Sequence, residues 1–105
     1  MGVAVREVQD MASKPLLVIE LSGNFDYGVN REFLNIFKNR EDLSSLPIRV
    51  DFTNVAHIDS AALGMLLMLR EKAGGTESNV TISGCNSNLK KIFGAAHFDR
   101  LFHFV

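Results

Sequence analysis

Residues 50–75 read VDFTNVAHIDSAALGMLLMLREKAGG, and within them a strand runs through a loop into a helix. Residues 48–52 (IRVDF) alternate apolar and charged side chains over a short span, the pattern of a strand. Residues 53–59 (TNVAHID) are polar with one or two apolar pegs and read as a loop. An apolar run then extends over residues 60–73 and meets Gly74 and Gly75, which predict a helix with a glycine stop. Helix N-termini leave amide donors unpaired and carry partial positive charge. Asp59 or Ser60 can cap that end, and capping is the ordinary use of both residue types there.

Two features point beyond a cap. Ser60 is the only hydroxyl side chain between Thr53 and Thr76. The helix behind it also has an unusual outer face. At about 100° per residue, Ala62, Leu63, Leu66, Leu67 and Leu69 gather on one side, taken as the core side. Leu63, Leu66 and Leu69 are expected to be largely buried. The opposite side carries Ser60, Ala61, Gly64, Met65 and Met68, with Glu71 and Lys72 at its far end. Small residues permit close approach, and methionine adapts to a partner surface. That face therefore predicts a protein-binding surface with a modifiable serine at its rim.

Outward from this stretch the elements alternate. Residues 3–8 alternate weakly as a strand, residues 10–14 turn, and residues 16–21 (LLVIEL) form a second strand closed by Ser22, Gly23 and Asn24. Turn residues over 23–30 lead into an amphipathic helix over 31–40, with Phe33, Leu34 and Phe37 at helical spacing. After the central stretch come a strand over 79–83, a helix over 86–96 with Leu89, Ile92 and Phe93 at helical spacing, and an apolar closing segment over 101–105. Strands alternating with helices favour parallel pairing, while the short turn between the first two strands favours an antiparallel hairpin. The fold class expected is α/β, a small mixed sheet of about four or five strands with helices mainly on one face. Residues 1–105 read as one domain at this length.

Composition excludes several functions. Eleven basic and 12 acidic residues leave a formal charge of −1, so no global pull toward nucleic acid or acidic membrane is expected. The apolar run over residues 61–69 is far short of the roughly 18 residues of a membrane span, and no signal peptide is visible. With the single cysteine, Cys85, this predicts a soluble cytoplasmic protein without membrane insertion. His57, Asp59 and Ser60 fall within four consecutive residues, whereas triad members converge from separate elements, and no glycines form a nucleophile elbow around Ser60. His57, His97, His103 and Cys85 lack metal-ligand spacing. Gly74 and Gly75 lack the lysine of a phosphate-binding loop, and Lys90 and Lys91 are an isolated basic pair. No enzymatic role, catalytic residue, metal or cofactor is expected.

The run D-F-T-N-V-x-x-I-D-S-A-A-L-G over residues 51–64 resembles the signature of STAS domains, the bacterial anti-sigma factor antagonists. Residues 21–26 (LSGNFD) are similar to that family's earlier turn. Residues 84–93 (GCNSNLKKIF) and 98–102 (FDRLF) are similar to its last helix and closing segment. The resemblance spans essentially the whole chain. It implies that Ser60 is phosphorylated by a partner, an anti-sigma factor and serine kinase with a histidine-kinase-like ATPase fold. A PP2C-type phosphatase then removes the phosphate. It implies partner switching in signal transduction and transcription regulation, with the family's Asp-Ser pair at Asp59 and Ser60; together with the outer helix face, the expected partner interface is Asp59, Ser60, Ala61, Gly64, Met65 and Met68. Ala61 and Ala62 depart from the Ser or Thr and Gly that commonly follow the modified serine, and Phe25 replaces a more usual leucine. The alternative within the resemblance is an unphosphorylated STAS adaptor subunit of a transporter or stress-sensing assembly.

Overall fold

The computed structural model describes residues 2–38 and 40–105. Five strands form one sheet: β1 (Gly2–Gln9), β2 (Pro15–Phe25), β3 (Ile48–Ile58), β4 (Val80–Ser83) and β5 (His103–Phe104), adjacent in that order. β1 and β2 pair antiparallel as a hairpin, and the other three pairings are parallel. The helices α1 (Asn30–Lys38), α2 (Ser60–Lys72) and α3 (Ser87–Ala95) each bridge two parallel strands. The strand order advances from β2 to β5 without reversing. Crossovers of one hand therefore lay all three helices on one face of the sheet.

Alternation along the strands supplies the core on that face. Leu17, Ile19 and Leu21 of β2, Ile48, Val50 and Phe52 of β3, and Val80 and Ile82 of β4 are buried beneath Phe33, Leu66 and Leu89 of the three helices. A relay of rings crosses the core. Phe25 lies 5.0 Å from Phe33 and 5.7 Å from Phe52, and Phe52 lies 5.5 Å from Phe93. The tilted and edge-on geometries are those that aromatic quadrupoles favour. The opposite face, with Arg6, Arg49 and Asp51, carries no helix; Arg6 and Glu20 form an ion pair across β1 and β2 at 2.7 Å.

The structure corrects several element boundaries. Residues 53–58, read as loop, continue β3 and pair with β2 out to Phe25 and Ile58. Register shifts between Glu20 and Ser22 and between Gly23 and Asn24 show why: β3 carries extra residues there, and bulges break the alternation by which strands are recognised. Residues 23–25 likewise belong to β2, and only Tyr27–Val29 form a tight 3-10 turn. Its Asp26 side chain accepts a hydrogen bond from the Gly28 amide at 2.9 Å. The side chain of Phe37, read at helical spacing with Phe33 and Leu34, and Asn39 within the expected helix lie outside what the structure describes. Helix α3 begins one residue later than expected because Asn86 is its cap, its side chain accepting from the Leu89 amide at 2.8 Å.

Gly84, just past β4, has φ +76°, and a Cβ there would meet the Thr53 amide nitrogen at 2.7 Å. This position needs glycine for both conformation and space. The Asp51 carboxylate accepts from the Thr53 amide at 2.9 Å, which holds the bulged part of β3 in place beside it.

Candidate functional site at the start of α2

Strand β3 ends at Ile58, and Asp59 follows in extended conformation as the N-cap of α2. One carboxylate oxygen of Asp59 accepts from the Ala62 amide at 2.9 Å, and the other accepts from the Tyr27 amide at 3.3 Å. Asp59 therefore does two jobs: it caps α2 and ties the 3-10 turn after β2 to the helix start. The capping reading made from sequence holds for Asp59. Ser60 is left as the first helical residue, exposed beside that junction.

Removing the Asp59 carboxylate has a definite expected cost. Asp59→Ala is expected to lower unfolding free energy by about 1–2 kcal/mol, the loss of an N-cap. Asp59→Asn is expected to lose less, because an amide oxygen still accepts from Ala62 but its NH2 group cannot satisfy the Tyr27 amide. Urea denaturation midpoints of the two variants check the order; equal midpoints for both would contradict the double role.

The structure resolves which side of α2 faces the core. Ala62, Met65, Leu66, Leu69 and Ala73 are buried, at a spacing of three or four residues. Met65 was expected on the outer face and is instead 2% exposed in the core. Leu67 was expected inside and is 39% exposed, while Leu63 is only half-buried. The buried arc is thus rotated from the expected one. Residues 61–69 are apolar almost throughout, so their periodicity has too little contrast to fix its phase. The outer face consists of Ser60, Gly64, Leu67, Met68 and Glu71, with Ala61 half-buried at its side. Gly64 and Met68 are exposed as expected, Met68 at 47%.

This assignment separates two substitutions. Leu66→Ala is expected to cost about 2–5 kcal/mol, the range for emptying a buried leucine site. Met68→Ala is expected to stay within about 0.5 kcal/mol of wild type, as for an exposed side chain. Equal losses in thermal melts of the two variants would contradict the assignment of faces.

Tyr27 is a feature that sequence reasoning missed. It is 72% exposed, and its backbone amide is held by Asp59, which ties its backbone to the start of α2. The signal available was Asp26 with Gly28, an Asx turn that presents the residue between them. Among the described residues, no hydrogen bond joins His57 to Asp59 or Ser60, and no group of three or more His, Cys, Asp or Glu could hold a metal ion. A separate cavity of about 280 Å³ lies between α3 and the C-terminal segment, lined by Cys85, Lys90, Phe93, Asp99 and Phe104. Burial pushes the Cys85 thiol up to about 11, only partly offset by Lys90, so it is a neutral thiol near pH 7 and a poor nucleophile.

A strand delivering Asp-Ser to the first turn of a helix, in a sheet of this order with helices on one face, is matched by a family profile described as "Mlab, STAS domain" over residues 9–103. The chain belongs to the STAS domain family. A STAS-domain containing protein of Pseudomonas aeruginosa, PA14_20770, is 36% identical over 88 residues, covering 82% of this chain and 84% of that protein. The STAS fold also superposes on the anti-sigma factor antagonist SpoIIAA of Bacillus in its unphosphorylated form. The TM-score there is 0.68 at 14% identity, over 97% of this chain and 87% of the other. A sulfate transporter family protein of Wolinella succinogenes superposes with TM-score 0.69 at 18% identity, over 89% of this chain and 73% of the other. The five-stranded mixed sheet with three helices is the fold these two structures share with this STAS domain. Among the described residues, no helix is long and apolar enough to cross a membrane.

Proposed function

We propose that this STAS domain is a phosphorylation-controlled partner-switching regulator acting in the cytoplasm. Unmodified, it binds an anti-sigma factor and serine kinase of the histidine-kinase-like ATPase fold through Asp59, Ser60, Ala61, Gly64 and Met68, with Leu67 added and Met65 withdrawn. Phosphorylated on Ser60, it releases that partner, and a PP2C-type phosphatase resets it. The domain is the substrate of these reactions and not an enzyme. In the forward step Ser60 Oγ attacks the γ-phosphorus of ATP held by the partner. The Oγ–P bond forms, the bond to ADP breaks, and the hydroxyl proton passes to a base of the kinase.

The observation that carries this reading is the exposed Ser60 at the first turn of α2, at the rim of an outer face of small and apolar residues. Asp59 is engaged as cap, and Ser60 offers the exposed hydroxyl of the first turn of α2. The first-turn amides and helix dipole can host a phosphate without unfolding the helix. Incubating the purified protein with the cognate kinase-like regulator and ATP is expected to add one phosphate, located on Ser60 by mass spectrometry. Protein from native cells should carry the same modification. A Ser60 that stays unmodified in both would remove the switch.

A second reading draws on the likeness to the sulfate transporter family structure: an unphosphorylated adaptor subunit of a transporter or stress-sensing assembly. It predicts constitutive binding through the same outer face of α2 and no effect of Ser60→Ala.

A further inference from the structure

A groove of about 360 Å³ runs between α1 and α2, lined by Leu34 and Lys38 of the first helix and Met68 and Lys72 of the second. Its floor is apolar, with Met68 half exposed and Leu34 half-buried. Both helices bridge parallel strands in the same direction, so they run side by side with their C-terminal ends together. The two lysines therefore stand at one end of the groove. Met68 also belongs to the outer face that begins at Ser60, so groove and face are continuous.

The charged side chains that line it, Lys38 and Lys72, have one sign, while Glu41 and Asp42 share a separate hollow with Lys38 and Arg40. Lys38 and Lys72 form no ion pair among the described residues, whose four ion pairs all use arginine. Arg31, one turn before Leu34 on the same stripe of α1, is likewise exposed and unpaired. No carboxylate lines the groove. Glu32 lies about 160° round α1 from Leu34 by helical geometry, and Glu71 is paired with Arg70 at 3.8 Å.

We infer that the groove between α1 and α2 is a docking site for an acidic amphipathic helix of a partner protein. Its apolar stripe packs between Leu34 and Met68, and its carboxylates meet Lys38, Lys72 and Arg31. An apolar floor whose only charged lining is two lysines without ion pairs among the described residues selects that chemistry over a neutral or basic helix. The inference rests on the reading of the α2 outer face as the partner surface and deepens it by naming what the partner presents. It also supplies a physical reason for release: a phosphate on Ser60 sets like charge at the other end of the same surface.

The test uses a synthetic helical peptide with leucines on one stripe and glutamates flanking it, and a twin with lysines in place of the glutamates. Fluorescence anisotropy with the unmodified full chain should show the acidic peptide binding at least tenfold tighter, with affinity falling as salt rises. Amide shift changes in nuclear magnetic resonance should centre on Leu34, Lys38, Met68 and Lys72. The double variant Lys38→Glu/Lys72→Glu should invert the preference. Lys38→Gln/Lys72→Gln, which adds no like charge at the helix ends, should abolish it with the fold intact by circular dichroism. Equal binding of the two peptides, no binding of either, or shifts centred on the open face of the sheet would overturn the inference. So would variants that lower stability and leave the peptide preference unchanged, because the lysines would then serve only the helix ends. Vesicles of phosphatidylcholine with and without phosphatidylglycerol form a further arm; Lys-dependent binding to the anionic vesicles without peptide preference would assign the face to lipid instead. Phosphorylation does not enter this assay. An unmodified Ser60 in cells removes the switch and leaves the groove standing, and a peptide blind to charge removes the groove and leaves the switch.

Discussion

Phe52→Ala is expected to destabilise the protein by about 3–5 kcal/mol, enough to leave a domain of ordinary stability partly unfolded. Phe52 is fully buried on the helix-covered face of β3 and is the middle ring of the relay, in contact with Phe25 on one side and Phe93 on the other. Deleting it removes apolar burial and two edge-on ring contacts at once. Phe25 is itself packed on Phe33 of α1, and Phe93 belongs to α3, so collapse around the cavity would have to shift two helices. A site that cannot relax pays the full cavity cost. Tyr27→Ala is the control, an exposed aromatic expected to change stability by less than about 0.5 kcal/mol. Urea unfolding followed by circular dichroism measures both. A Phe52→Ala midpoint indistinguishable from that of Tyr27→Ala would contradict the ring relay as the centre of the core.

The second large effect concerns binding. A phosphate on Ser60 brings about −1.5 to −2 charges to the rim of the α2 outer face at neutral pH. Within the domain that charge is well placed, because it meets the free amides and positive end of α2, and thermal stability is expected to hold or rise slightly. A partner packed over Ala61, Gly64, Leu67 and Met68 would have to strip water from the phosphate oxygens that the helix amides leave to solvent, and leave those oxygens unpaired. Leaving a charge buried without a partner costs about 2–5 kcal/mol, so affinity is expected to fall at least 30-fold. Ser60→Ala should keep full affinity in the presence of kinase and ATP. Ser60→Glu should fall between the two forms, since one carboxylate carries less charge than a phosphate. Calorimetric titration of each form with the cognate kinase-like regulator supplies the numbers. Phosphorylated protein that binds as tightly as unmodified protein would put the adaptor reading in its place.

The local motifs were legible in the sequence because their causes are local. The first half of β3 over residues 48–52, Ser60 as first residue of α2, and the glycine stop beyond Lys72 follow from local apolar pattern, capping and glycine conformation within a few residues. The one-sided packing of the helices was legible for a similar reason. Strands that alternate with helices and advance in one direction leave little choice of face.

What only the tertiary structure decided involves residues far apart or patterns without contrast. In α2 almost every residue from Ala61 to Leu69 is apolar, so the sequence determined a helix but not its rotation. Contact with the sheet decided it, drawing Met65 in and turning Leu67 out. The far end of β3 reads as loop because bulges spoil its period, and pairing with β2 makes it strand. Asp59 holds the amide of Tyr27, 32 residues earlier, and Leu34 and Met68 line one groove from two helices. Neither pair leaves a trace in local spacing, because both depend on parallel strands bringing two crossover helices side by side. The chain by itself thus determined where the exposed hydroxyl sits. The surface around that hydroxyl, which a partner would have to fit, came from the packing of α1 against α2.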